Sequence, residues 1–189
     1  MGPKLSKGEI RRQAILTAAV TVVAESGAGS LTHRAVAAEA AVSLASTTYH
    51  FASIDELRQM TFIHAADIVG EQFETALNSA RSPAQRLDDA ATRWAEVLIE
   101  QRSAFVTVLE MLVAATRDTE LQAVSAELLA QSGATLERAG FTAAQDLASE
   151  LIGLALVHLT DPDRHERAFR NAALASMHRH AASHSITTG

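Results

Sequence analysis

Residues 43–50 read Ser-Leu-Ala-Ser-Thr-Thr-Tyr-His. Three consecutive hydroxyl side chains, then a phenol and an imidazole, make a surface suited to hydrogen bonding along a polyanion. Serine and threonine can bond to base edges or phosphates, and a threonine methyl can touch the methyl of thymine. Tyr49 and His50, near the end of a short helix, suit contacts to a phosphate backbone. Catalytic patterns are thin by comparison. His165-Glu166 begins like the HExxH zinc motif, but Phe169 stands where the second histidine is needed. There is no Gly-x-Ser-x-Gly elbow, and Gly27-Ala-Gly29-Ser30 lacks the lysine of a phosphate-binding loop. His180 and His184 are one turn apart with His178 nearby, but no third metal ligand is evident. The chain has no cysteine, which excludes thiolate metal sites and cysteine nucleophiles. The expectation is a binding protein with no catalytic residue, no metal and no cofactor.

Charge places the polyanion partner at one end. From Met1 to Ser53 the chain carries five basic residues and three acids, a net +2. The remainder carries 11 basic and 19 acidic residues, a net -8. A mildly basic head on an acidic body fits a nucleic-acid partner for the head only. The longest apolar runs, Ala14 to Ala24 and Leu151 to Val157, fall short of the ~20 residues of a membrane span. The start, MGPKLSKGEI, has no apolar core of an export signal. A cytoplasmic protein without membrane contact is expected.

The elements that must hold these residues read as all-α. Alanine is frequent and aromatics are only 4%, which favours helix over sheet. A first helix is expected from about Lys7 to Ser26, with Ile10, Ala14, Leu16 or Thr17, Ala18, Val20 or Thr21 and Ala24 turned inward and Gly27 as a left-handed cap. Thr32 caps a short helix at about His33 to Ala40, and Ser43 caps another at about Leu44 to Phe51. Ser53-Ile-Asp-Glu56 is a capping box that opens a long helix to about Ala80. Ser82-Pro83 and Asp161-Pro162 start later helices, and others are expected at about 84–101, 103–116, 118–139, 142–160 and 162–182.

Two short helices joined by a tight turn, after a longer one, have the form of a helix-turn-helix. Ala37, Ala40 and Ala41 are small enough for the crossing, and Val36 and Val42 supply apolar contacts that set its angle. The same pattern also fits a three-helix packing unit of a larger helical protein. Such a protein would bind a small molecule or another protein, or act as an enzyme, without DNA.

The segment SGAGSLTHRAVAAEAAVSLASTTYHFASIDEL resembles the N-terminal DNA-binding region of the TetR (tetracycline repressor-like) family of bacterial regulators. The resemblance covers about Ile10 to Leu57. It implies a helix-turn-helix DNA-binding domain at 1–52 and a helical ligand-binding and dimerisation domain at 53–189. Residue by residue, it implies that Thr32 and Arg34 meet phosphates or groove edges at the start of the second helix. Ser43 caps the recognition helix, Ala45, Ser46, Thr47 and Thr48 face the groove, and Tyr49 and His50 grip the backbone. Phe51 is the buried aromatic that anchors the unit. Three positions depart from the family pattern. Ala41 replaces a turn glycine, Ile54 a phosphate-binding lysine, and Thr48 a frequent tyrosine. Affinity is therefore expected to lean on Arg34, Tyr49, His50 and an arm with Lys4, Lys7, Arg11 and Arg12.

The resemblance further implies a homodimeric, ligand-responsive repressor on a palindromic operator in double-stranded DNA, with an unknown small-molecule effector. Candidate pocket residues are Met60, Phe62, His64, Phe73, Trp94, Phe105, Glu110 and Met111, a cluster of scarce large side chains with two polar ones. For each of the apolar ones singly, filling the core is the commoner explanation. Candidate dimer-interface residues are Leu151, Leu154, Ala155 and His158 on one stripe, and Phe169, Ala172, Ala173 and Ser176 on another. A monomer core fits the same stripes.

Overall fold

The structure, a computed structural model, describes residues 6–79, 83–161 and 166–181, with side chains at 76–79 and 83–86 outside the description. Among the described residues the chain is helical and has no strand. The helices are α1 (Lys7–Ser26), α2 (His33–Glu39), α3 (Leu44–His50), α4 (Ile54–Ser79), α5 (Pro83–Glu100), α6 (Arg102–Ala115), α7 (Thr119–Arg138), α8 (Ala144–Thr160) and α9 (Glu166–His180). The expected all-α class holds, and the helix ends move by a few residues at most. The proposed caps at Ser82 and Pro162, and His165 and His184, lie outside the described residues.

Two compact units divide the chain, and neither ends at residue 52. The first comprises residues up to Val69 together with Gln101–Ser125. The second comprises Gly70–Glu100 and residues from Ala126 onward. Within the first unit α6 packs along α1. The buried Thr107 hydroxyl donates to the Val20 carbonyl at 3.0 Å, satisfying a polar group inside that contact.

Local chemistry explains the helix starts of the first unit. Ser6 Oγ accepts from the Glu9 N–H at 3.2 Å while Glu9 Oε2 accepts from the Ser6 N–H at 2.7 Å, a reciprocal capping box. The inward face of α1 is Ile15, Leu16, Ala18, Ala19, Val20 and Val23. Ile10 and Ala14, expected inside, are exposed. Alanine and valine occur on every side of α1, so periodicity does not fix the phase of its buried stripe. Gly27 follows at φ 82, ψ 160, an extended backbone at positive φ and not the expected left-handed helical cap.

The α2–α3 turn closes as a Schellman motif. The Val42 N–H donates to the Ala37 carbonyl at 3.0 Å and the Ala41 N–H to the Ala38 carbonyl at 3.2 Å. Ala41 sits at φ 51, the conformation that favours glycine, so the turn keeps its shape with a strained alanine. Ala41 is exposed and contributes nothing to the helix crossing, where Val36 and Ala37 are buried. Ala41→Gly is expected to relieve strain on the order of 1 kcal/mol, partly offset by the freer unfolded chain. The thermal midpoint should rise by about 1–3 °C. A lower midpoint would show that the turn does not strain the alanine.

In the second unit α9 packs on both α5 and α8. Phe169 is sandwiched between Trp94 (ring centroids 4.9 Å apart) and His158 (4.3 Å), both near-parallel stacks. At the other end of α9, Glu150 of α8 gathers three donors. Ser176 Oγ donates to its carboxylate, Arg179 lies 2.6 Å away, and His180 Nε2 lies 3.2 Å away. The Ser176 hydroxyl first, then the His180 ring, hold the Glu150 carboxyl down from 4.5 to about 2. A depressed carboxyl adds stability that is present above its ordinary value and lost as pH falls toward 2. Glu150→Gln should therefore melt below the native chain at neutral pH, with the gap closing on acidification. A gap constant with pH would contradict this role.

Candidate nucleic-acid interface

The short helices α2 and α3 owe their starts to hydroxyl caps. Thr32 Oγ1 accepts from the Ala35 N–H at 3.1 Å, and Ser43 Oγ from the Ser46 N–H at 3.1 Å. Each hydroxyl accepts in this role, so its own proton stays free to be donated outward. The next helix is capped the same way. Ser53 Oγ accepts from the Glu56 N–H at 3.0 Å, and Glu56 Oε2 reaches back to the Ala52 N–H at 2.7 Å. These three caps fix the directions of α2, α3 and α4.

Beneath them, Phe51 is fully buried, and its N–H donates to the Thr47 carbonyl at 2.9 Å. The Arg12 guanidinium lies 4.9 Å above the Phe51 ring. Of the expected basic arm, Arg12 is thus half-buried against the headpiece, while Lys7 and Arg11 are exposed. Lys4 lies outside the described residues.

The structure sorts the residues expected to meet DNA. Thr32, Arg34, Ser43, Ala45, Thr48 and Tyr49 are exposed, and Tyr49 is 84% exposed. Ser46 and His50 are half-buried, and the His50 ring meets Tyr49 edge-on with centroids 5.1 Å apart. Thr47 is a correction. It is 0% exposed, and its hydroxyl donates to the Leu44 carbonyl at 2.8 Å, so it faces the headpiece core and not a groove. The Thr48 hydroxyl also bonds inward, to the carbonyls of Leu44 (3.2 Å) and Ala45 (3.3 Å). Leu44, which the reading of hydroxyls passed over, is 45% exposed on the same helix. Ile54 is half-buried and supplies no charge at the start of α4.

The other candidate residues divide between the two units. In the first, Phe62, Phe105 and Met111 are buried and Met60 and His64 half-buried, with His64 Nε2 3.3 Å from Thr17 Oγ1. Glu110 is exposed, and its Oε2 accepts from the Ala28 N–H at 3.4 Å. It is turned to the surface, where it supports the loop after α1, and is not an inward anchor. In the second unit Phe73 and Trp94 are buried. Of the expected dimer residues, Leu151, Ala155, Phe169, Ala173 and Ser176 are already buried within the single chain. They belong to the chain's own core, where a second copy has nothing to cover. Leu154, His158 and Ala172 are half-buried, and His158 is occupied by its stack on Phe169.

Comparison with known proteins agrees with this geometry. The family model of bacterial regulatory proteins, tetR family, matches residues 15–59. No curated protein matches the chain by sequence. Among solved structures, a member of the TetR family from Streptomyces coelicolor A3 is 35% identical, with 88% of this chain and 98% of that one covered and a TM-score of 0.67. The multidrug binding protein EbrR, complexed with imidazole, is 32% identical over 93% of this chain and 96% of its own, with a TM-score of 0.68. A transcriptional regulator from Rhodococcus sp. Rha1 shares the fold, with a TM-score of 0.75 at 20% identity over 89% and 94% of the two chains. Among the described residues no helix is long and apolar enough to cross a membrane. The chain belongs to the tetR family of bacterial regulatory proteins, as a DNA-binding transcriptional regulator.

Proposed function

We propose that the protein is a cytoplasmic homodimeric repressor that binds a palindromic operator and releases it when a small organic effector binds its helical body. The observation that carries the DNA half is the headpiece itself: a capped α2–α3 pair whose outer face is built from exposed Arg34, Thr48 and Tyr49. The dimer is supported by the outer face of α8. Ser149, Gly153, Leu156, Val157 and Thr160 are all exposed there, at helical spacing, without a charge among them. A twofold axis can pack such a face against itself, with glycine and serine permitting close approach. Small residues continue on α9 at Ala168 and Ala175, both exposed.

An effector is supported by likeness to EbrR, a multidrug binding protein. We place its contacts among the large side chains of the first unit's helices beyond the headpiece, Phe62, Phe105 and Met111. The chain passes from the first unit to the second within α4, so a tilt of α4 in the effector-bound state would move the headpiece off its half-site. Tyr49→Ala tests the DNA contact. With its ring 84% exposed, the phenol contributes nothing to the core, so the melting curve should be unchanged while operator affinity drops about tenfold. Unchanged affinity would remove Tyr49 from the interface.

A further inference from the structure

The outward surface of α3 carries neither a cation nor an amide. At 3.6 residues per turn, Leu44, Thr48, Ala45 and Tyr49 follow one another around a single arc, and these are the exposed residues of the helix. Off this arc, Thr47 is buried and Ser46 and His50 are half-buried. Guanine is commonly read by arginine or lysine and adenine by asparagine or glutamine. None of these occurs within Leu44–His50. The Thr48 hydroxyl proton is committed to the Leu44 and Ala45 carbonyls, which leaves its γ-methyl and its lone pairs. Beside the Tyr49 phenol and the Thr48 oxygen, which is left only as an acceptor, the arc is apolar: the Leu44 isobutyl group, the Ala45 methyl and the Thr48 γ-methyl. A leucine 45% exposed at the first position of a seven-residue helix adds little to the headpiece core. The one apolar group that a base presents in the major groove is the 5-methyl of thymine.

We propose that α3 reads its operator through the 5-methyl groups of thymine, with Leu44 as the specificity-determining residue and Ala45 and Thr48 completing the apolar contact. This rests on the reading of the headpiece as the DNA reader. Arg34 and Tyr49 then supply phosphate attraction, and sequence discrimination comes from shape and methyl burial. Burying one methyl is worth ~0.8 kcal/mol, which converts to about fourfold in affinity.

The test uses the full-length protein and an operator selected from random duplexes. Replacing thymines by deoxyuridine within one half-site removes the methyl groups and keeps every hydrogen-bonding group of the bases. The native protein should lose about fourfold per contacted methyl. Leu44→Ala should bind the thymine operator more weakly, lose most of that uracil penalty, and keep the native salt dependence, since Leu44 neutralises no phosphate. Equal affinity for thymine and uracil operators, or an undiminished uracil penalty in Leu44→Ala, would overturn the proposal while leaving the DNA-reader reading intact. Absence of any sequence-selective binding would overturn both.

Discussion

Phe51→Ala is expected to cost about 3–5 kcal/mol of stability and to abolish operator binding at growth temperature. The ring is fully buried, carries the Arg12 guanidinium at 4.9 Å, and follows the recognition helix directly, so its loss leaves a cavity below α3. A domain of this kind holds a total of about 5–15 kcal/mol. Chemical denaturation monitored by far-ultraviolet circular dichroism checks the first part, and operator binding at reduced temperature the second. Phe51→Leu, which keeps much of the apolar volume, should retain binding. A Phe51→Ala protein of native stability would mean that the headpiece is not organised around this ring.

The second large effect concerns assembly. Leu156 and Val157 are 49% and 44% exposed on the outer face of α8, about three turns from Asp146 on the same arc. Replacing both with glutamate sets charges against each other across a twofold axis and should leave a monomer. Two linked headpieces gain about 10²–10⁴-fold over one through effective concentration. Operator affinity should fall by at least about a hundredfold, while affinity for an isolated half-site stays unchanged. Sedimentation and binding to full and half operators decide it. A variant that remains dimeric would place the interface elsewhere.

The headpiece was the most legible part of the sequence because its determinants are local. Thr32, Ser43 and Ser53 each cap a helix through a hydroxyl that reaches three residues on, and such short-range chemistry reads directly from residue order. The family resemblance over Ile10 to Leu57 rests on the same residues. Errors began where orientation depends on distant packing. Three hydroxyls in a row at 46–48 do not say which one turns inward, and in the folded headpiece it is the middle one, Thr47, that is buried. On α1 the middle of the stripe, Leu16, Ala18 and Val20, is buried as expected, while Ile10 and Ala14 are exposed, because alanine and valine on every side leave the phase open. The packing of α6 on α1 is not legible in sequence order, because the Thr107–Val20 bond joins residues 87 positions apart. The apolar stripes of α8 and α9 were real, but a stripe buried within one chain and a stripe buried between two look alike in a sequence. Leu151, Ala155 and Phe169 proved to be the former. Leu156 and Val157, on α8 with Leu151 and Ala155, differ from them only in being exposed in the folded chain.

Selection of genomic or random DNA on the purified protein, followed by footprinting across a salt titration, tests the central claim most directly. The expected result is an enriched palindrome with half-site centres about 34–36 Å apart on one face of the duplex. Its affinity should fall steeply with salt, as phosphate neutralisation by Arg34 and the basic arm requires. Failure to enrich any sequence from either pool, even at low salt and with a folded headpiece, would contradict the account.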